Sequence, residues 1–183
     1  MKLSILIPTI VGREKQYNSL IGSLEPQLTD EIEICVLKDN KEMTIGAKRN
    51  ILLQGAEGEY ISFIDDDDKI SAIYISLLLQ AIDSGYDCAS LKGQYYFRGR
   101  IDGMFEHSLR YKEWKTNTSN KHDIKYERYP NHLNCIKSYI AKQFKFEEIN
   151  HGEDYKWAKQ IHESGLLKTE FYIAHVIYYY YKS

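Results

Sequence analysis

The stretch AEGEYISFIDDDD, Ala56 to Asp68, contains an uncharged apolar run, Tyr60 to Ile64, that gives way at once to four consecutive aspartates. A short apolar run bounded by Gly58 and by charge reads as a strand buried on both faces. Upstream, Thr44 suits the N-cap of a helix running through Ile45, Ile51 and Leu52, with Gly55 and Gly58 at its end. Before it, Ile32 to Leu37 makes a strand, and Tyr17, Leu20, Ile21, Leu24 and Leu28 recur at helical spacing from Arg13 to Leu28. Leu3 to Ile7, stopped by Pro8, is the first strand. The order is βαβαβ with short connections. It predicts an α/β fold whose mostly parallel, Rossmann-like central sheet is flanked by helices and binds ligands at the carboxyl ends of its strands. The loops at those ends are Pro8 to Arg13, Lys38 to Asn40 and Asp65 to Asp68.

Downstream, Tyr74, Leu77, Leu78, Ala81 and Ile82 share one face of a helix expected over Ser71 to Ser84, with Gly85 after it. Beyond Tyr86 the pattern is less regular. Strand-like stretches cover Cys88 to Phe97 and Phe105 to Trp114, followed by a polar segment, Lys115 to Lys125. A last helix runs from Gly152 to Glu163, and strands are expected at Glu170 to Tyr172 and Val176 to Tyr181. This predicts a smaller antiparallel or irregular C-terminal part. The run Tyr178 to Tyr181 reads as a half-buried strand rather than a sugar platform.

The 183 residues fit one domain, with residues 1–93 as a ligand-binding half and 94–183 as a second half. A composition of 43% hydrophobic and 27% charged residues is globular. Cys35, Cys88 and Cys135 are odd in number and lack CxxC spacing, which points to a reduced, cytoplasmic setting. The N-terminus has no apolar signal region of ~7–15 residues, and no run approaches the ~20 residues needed to span a bilayer, so a soluble, unprocessed chain is expected. A net charge of −2 argues against general nucleic-acid binding.

Four adjacent carboxylates at a strand end repel one another unless a cation or water relieves them. Oxygen-only ligands suit Mg²⁺ or Mn²⁺; a solvated acidic turn before a helix N-terminus is the plainer alternative. The alternating ligands of an EF-hand are missing. Asp154 stands three, four and seven residues before Trp157, Ala158 and Ile161, which turns it toward an apolar stripe and makes it a candidate general base. Glu153 lies roughly 100° around the helix and is a candidate for binding the group that gives up the proton. Both also suit a helix N-terminus electrostatically.

LSILIPT (Leu3 to Thr9), KDN (Lys38 to Asn40), GAKRN through IDDDD (Gly46 to Asp68) and GED (Gly152 to Asp154), taken in this order and spacing, resemble the family 2 glycosyltransferases, which have the GT-A fold. The resemblance implies a metal-dependent enzyme that moves a sugar from a UDP-sugar to an acceptor hydroxyl with inversion. It implies that Pro8, Thr9 and Arg13 pack on the nucleotide and that Asp39 accepts from the uracil ring. It further implies that Arg49 approaches the phosphates or base. As plain structure, Asp39-Asn40 suits a turn and Arg49 an exposed helix position. The family's DxD motif falls on Asp65, Asp66 and Asp67. Asp65 and Asp66 then face the nucleotide-sugar, Asp67 with Asp66 holds Mn²⁺ or Mg²⁺, and Asp68 caps the following turn. The second acid of GED, Asp154, is implied as the base.

His132, with Asn131 and Lys137, and Trp114, within the basic-aromatic group Lys112, Lys115, Lys121, Lys125, Tyr126 and Arg128, are candidates for a donor or acceptor pocket. A structural histidine and a solvated loop are the alternatives. His151 and His175 are candidate additional metal or substrate contacts. The acceptor is expected to be a saccharide or other glycan, with a modified nucleic acid left open. Two competing functions remain: a non-catalytic nucleotide-sugar or glycan-binding module, and a sugar nucleotidyltransferase. The second normally carries a glycine-rich loop after the first strand, which IPTIVGRE lacks.

Overall fold

The computed structural model describes residues 1–118 and 123–182. In chain order the first half comprises β1 (Leu3–Ile10), α1 (Glu14–Leu24), β2 (Ile32–Asp39), α2 (Ile45–Gly55), β3 (Tyr60–Phe63), β4 (Lys69–Ile70), α3 (Tyr74–Asp83), β5 (Cys88–Ala89) and β6 (Leu91–Phe97). The second comprises β7 (Arg100–His107), β8 (Lys115–Thr116), β9 (Tyr126–Arg128), β10 (Ile136–Lys137), α4 (Ser138–Ala141), α5 (Glu153–Ser164), β11 (Glu170–Phe171) and β12 (Tyr178–Lys182).

The central sheet has the order β11-β5-β10-β3-β1-β2. Its pairs β1/β2, β1/β3 and β5/β11 are parallel, and β10 runs antiparallel to β3 and β5. β1 is buried because it has strands on both sides and layers on both faces. Leu3, Ile5 and Ile7 pack with Leu20 and Leu24 of α1 and Leu78 of α3, whereas Leu6 packs with Leu52 and Leu53 of α2 and Trp157 of α5. The period of two along the strand assigns these side chains to opposite faces. Each fully buried Leu or Ile contributes about 1.5–3 kcal/mol relative to exposure.

The second sheet has the order β4-β12-β6-β7-β9-β8 and mixes parallel pairs, β12/β6 and β7/β9, with antiparallel ones. Its Phe105 and Tyr178 join the cluster that holds Leu3, Ile5 and Ile7, so both sheets share a core. The division expected at residues 93 and 94 falls inside β6, and β10 and β11 return to the central sheet.

Three expected elements differ in extent. α1 stops at Leu24, because Pro26 disfavours continuation and the chain tightens into a 3-10 turn, Glu25–Gln27. The strand expected from Phe105 to Trp114 is instead β7, ending at His107. There the Ser108 hydroxyl and Leu109 N–H turn aside to donate to the Glu170 carboxylate at 2.7 Å each. α3 begins at Tyr74 rather than Ser71, since Lys69–Ile70 pairs with β12 and the intervening residues form a turn.

α2 opens as expected, with the Thr44 hydroxyl accepting from Ala47 N–H at 3.2 Å. Its first turn lies so close to the 147–149 segment that a Cβ on Gly46 would sit 1.9 Å from the Glu147 carbonyl oxygen. Gly46→Ala is therefore expected to destabilise the fold by about 1–3 kcal/mol. Urea denaturation checks this, and an unchanged midpoint would contradict the close approach.

Candidate active site

The carboxyl ends of β1, β2 and β3 meet the N-terminus of α5 around Asp65 to Asp68. The four carboxylates have four different environments, decided by where the chain points each side chain as it leaves β3. Asp65 accepts from Arg49 Nη2 at 2.8 Å, and its other oxygen lies 3.8 Å from His132 Nε2. Burial opposes its ionisation, but the Arg49 charge and the His132 ring outweigh it and hold the carboxyl well below the usual range. Asp66 is buried, accepting from the Thr9 hydroxyl and from Arg13 Nη1, each at 2.6 Å. Asp68 is also buried and accepts from Tyr178 OH at 2.7 Å and Tyr181 N–H at 2.8 Å. Burial, then the Asp65 charge, pushes its carboxyl well up. Asp68 does not cap the following turn: its side chain reaches across to β12.

Asp67 is the open member, with a side chain 37% exposed and, among the described residues, a single cationic neighbour, Arg13 Nη1 at 3.2 Å. Burial shifts it upward, aided by the charges of Asp65 and Asp66 and opposed by Arg13. Protein cations and β12 thus supply much of the relief expected of a metal ion. Among the described residues no three His, Cys, Asp or Glu side chains are grouped to hold a metal, and His151 and His175 are exposed. The donor set still fits a hard cation of the Mg²⁺ or Mn²⁺ type, which takes one or two carboxylates together with water and substrate phosphates. Asp67 presents that carboxylate. Asp66, expected beside it, has both oxygens engaged by Thr9 and Arg13.

Arg49 departs from both readings of the sequence. It is neither an exposed helix residue nor free to approach a nucleotide: it is 3% exposed, held between the Phe63 and Phe146 rings, and bonded to two carboxylates. Its Nη1 donates to Glu153 Oε1 at 2.5 Å while Nη2 donates to Asp65. Glu153, not Asp154, is therefore the acid turned fully inward. Glu153 precedes Trp157 and Ile161 by four and eight residues, and the buried guanidinium waits on that face. Glu153 is consequently withheld from an acceptor. Asp154 remains half-buried at the edge of the same stripe, where its charge acts on Arg49 and on Tyr180. Gly152, at φ 81°, provides the left-handed entry into α5.

Asp39 is likewise engaged. One oxygen accepts from Met43 N–H at 2.8 Å and the other lies against the Lys48 ammonium, which also donates to the Thr9 carbonyl at 3.1 Å. Lys48 was missed in the sequence. The available signal was its spacing: Lys48 and Arg49 stand four residues before the core residues Leu52 and Leu53. Pro8 and Thr9 lie in β1 and Arg13 just beyond it, all at the same sheet end. His132 is 3% exposed, and neither ring nitrogen has a hydrogen-bond partner among the described residues. Trp114 packs on Tyr129 and on Tyr155, the neighbour of Asp154, with Arg128 over its ring at 5.1 Å. Lys121 lies outside the described residues.

The profile of the family described as Glycosyl transferase family 2 matches residues 22–149. The chain belongs to that family. The match contains Asp39, Arg49 and the aspartate run and ends before Glu153. A Campylobacter jejuni protein, GalNAc(5)-diNAcBac-PP-undecaprenol beta-1,3-glucosyltransferase, is 30% identical over 46% of this chain and 36% of its own length. S. aureus TarS 1–349 superposes with a TM-score of 0.71 at 20% identity, covering 99% of this chain and 60% of that one. The same TarS portion has been solved with UDP and with UDP-GlcNAc. A197 from STIV superposes with a TM-score of 0.57 at 17% identity, covering 100% of this chain and 87% of that one. The fold is thus the GT-A-like one expected, and the chain spans only part of the length of the first two relatives.

Two outcomes follow from the ion-pair geometry. Arg49→Met leaves Asp65 and Glu153 buried without their shared cation, at an expected cost of about 3–5 kcal/mol, measurable as a lowered urea midpoint. Asp68 has a folded pKa above its unfolded value, so its proton favours the folded state below that pKa and the contribution is lost as pH rises through it. Relative to Asp68→Asn, the wild type should therefore gain stability as pH falls through the raised folded pKa toward the ordinary aspartate value of about 4. Parallel pH dependences of the two proteins would contradict the shift.

Proposed function

We propose that the chain transfers a sugar from a UDP-sugar to an acceptor hydroxyl, with inversion at the anomeric carbon. The observation that carries this reading is the Arg49 bridge, which ties the loop bearing open Asp67 to the helix end bearing half-buried Asp154. The TarS complexes with UDP and UDP-GlcNAc and the glucosyltransferase named in C. jejuni support the donor class. Among the described residues no helix is long and apolar enough to cross a membrane.

In the proposed displacement, the acceptor oxygen forms a bond to the anomeric carbon as the bond from that carbon to the diphosphate oxygen breaks. UDP leaves with the electron pair, and the acceptor's proton passes to Asp154. Mg²⁺ or Mn²⁺ on Asp67, when bound, supplies positive charge at the leaving diphosphate. Arg13, beside Asp67, adds a fixed positive charge there. Arg49 and Glu153 do not touch the substrate; they hold Asp154 in place. Lys48 and Asp39 brace the β1 and β2 ends against which the nucleotide lies.

Release of UDP from a panel of nucleotide-sugars, with and without Mn²⁺, tests the reading. Metal-dependent release from a UDP-sugar is expected, Asp67→Asn should abolish that dependence, and Asp154→Asn should keep donor binding while losing transfer by a factor of about 10²–10⁴. Full transfer by the Asp154→Asn protein would remove that residue from the mechanism. A retained anomeric configuration in the product would refute direct displacement.

A further inference from the structure

Strands β6 and β7 are joined by only two residues, because Phe97 pairs with Arg100 and leaves Arg98 and Gly99 as the turn. Both turn residues have positive φ, 49° and 76°. A two-residue hairpin turn of this kind favours Asn-Gly, since most side chains are strained in the left-handed region. An arginine stands there instead, at the outermost point of the ribbon. The fold gives it no carboxylate partner: the ion-paired arginines are Arg13, Arg49 and Arg110, and among the described residues Arg98 and Arg100 form no ion pair. The next acid along the chain, Asp102, is already bonded to Lys125 and Tyr126.

Register fixes which face of the ribbon each tip residue takes. Phe97 and Arg100 are cross-strand partners on one face, with Lys182 of β12 beside Phe97. Tyr96 and Ile101 are partners on the other. There Tyr181 of β12 stacks on Tyr96 with ring centroids 4.5 Å apart, and Lys69 Nζ lies 5.3 Å from the Tyr181 ring. Each face therefore ends in a large apolar side chain open to solvent: Phe97 is 41% exposed and Ile101 60%. Arg98, Arg100, Lys69 and Lys182 around them are exposed as well, and the Arg98 guanidinium lies over the Phe97 ring at 5.1 Å. Single exposed apolar residues are ordinary. Two on opposite faces of one turn, ringed by cations, form a tip that is apolar on both sides and positively charged.

We propose that this tip, Phe97 to Ile101, docks the protein on an anionic lipid bilayer, with Phe97 and Ile101 dipping among the headgroups and Arg98 and Arg100 meeting lipid phosphates. A folded partner covers one face of a ribbon, whereas a fluid interface surrounds a tip from both sides and takes up its apolar groups just below the headgroups. Lipid phosphates supply the counter-charge that both arginines lack, worth roughly fivefold in affinity for each cation near such a surface. A nucleic acid also offers phosphates but leaves Ile101 without an apolar partner. The chain as a whole carries a net charge of −2, so attraction to an anionic surface must come from this end of it. The tip stands beside the candidate site, because Lys182 follows Tyr181, whose N–H donates to Asp68. Docking there holds the aspartate loop next to the bilayer surface. Such docking is independent of the transferase reading.

Cosedimentation of the full chain with lipid vesicles is the test. Binding is expected to vesicles of phosphatidylglycerol mixed with phosphatidylcholine, with little to phosphatidylcholine alone, and it should weaken as salt rises from about 0.05 to about 0.5 M. Arg98→Asn and Arg100→Gln should each weaken it about fivefold, and Phe97→Ser and Ile101→Ser each about three- to tenfold. Arg98→Asn gives the turn its favoured Asn-Gly pair, so its urea midpoint should not fall and its loss of binding cannot come from unfolding. Tyr139→Ser, which removes an exposed tyrosine on α4, should bind like the wild type. Equal binding to neutral and anionic vesicles, undiminished binding by the Arg98→Asn and Ile101→Ser proteins, no binding at low salt, or preference for a single-stranded oligonucleotide over vesicles would each overturn the proposal. Tip-dependent vesicle binding without UDP release from any donor would leave the docking standing and reject the transferase reading instead.

Discussion

The guanidinium of Arg49 is the contact on which the arrangement of the site depends. A buried cation is tolerated only where carboxylates meet it closely, since its desolvation otherwise costs several kcal/mol. Its two partners, Asp65 and Glu153, come from the end of β3 and the start of α5, and neither is near the other in the chain. Satisfying the cation therefore fixes the N-terminus of α5 against the aspartate loop. Asp154 follows from that constraint, because the residue after a locked Glu153 has little freedom in where it points. Removing one partner of a buried ion pair leaves the other charge uncompensated, and this cation holds together two acidic elements that would otherwise repel.

The aspartate run shows how one residue type takes separate parts when it leaves a strand into a turn. Asp65 turns to Arg49, Asp66 to Thr9 and Arg13, and Asp68 to the phenol and backbone of β12. Each is given a different counter-group, and only Asp67 is left with open oxygens. The negative charge of the loop is thus largely balanced from within, which concentrates its remaining donor capacity at one position. Asp39 and Lys48 repeat the device at the end of β2, where an internal cation joins the ends of β1 and β2.

β12 connects the two sheets to this chemistry. It lies between β4, the short strand directly after the aspartates, and β6. Through Tyr178 it carries the shared core up to Asp68, and the Tyr181 N–H donates to the other oxygen of the same carboxylate. The last strand of the chain is thereby as much a part of the site as the first.

Periodicity and punctuation were enough to read the βαβαβ order, the parallel β1, β2 and β3, the Thr44 cap and the strand ends where the site lies, because these follow from local spacing and from which faces must be buried. The family resemblance added the residues of interest. Local spacing did not resolve side-chain partners. Helical spacing pointed Asp154 toward the apolar stripe, and only the position of Arg49, more than a hundred residues earlier, makes Glu153 the acid that is fully buried. Nor did local spacing single out Asp67, which only the family resemblance did, reveal Lys48 against Asp39, or separate Tyr178 from Tyr180. Those outcomes depend on which charge or ring another segment brings into contact. Burial is what makes such a contact decisive, because an unpaired charge costs far more inside the protein than at its surface.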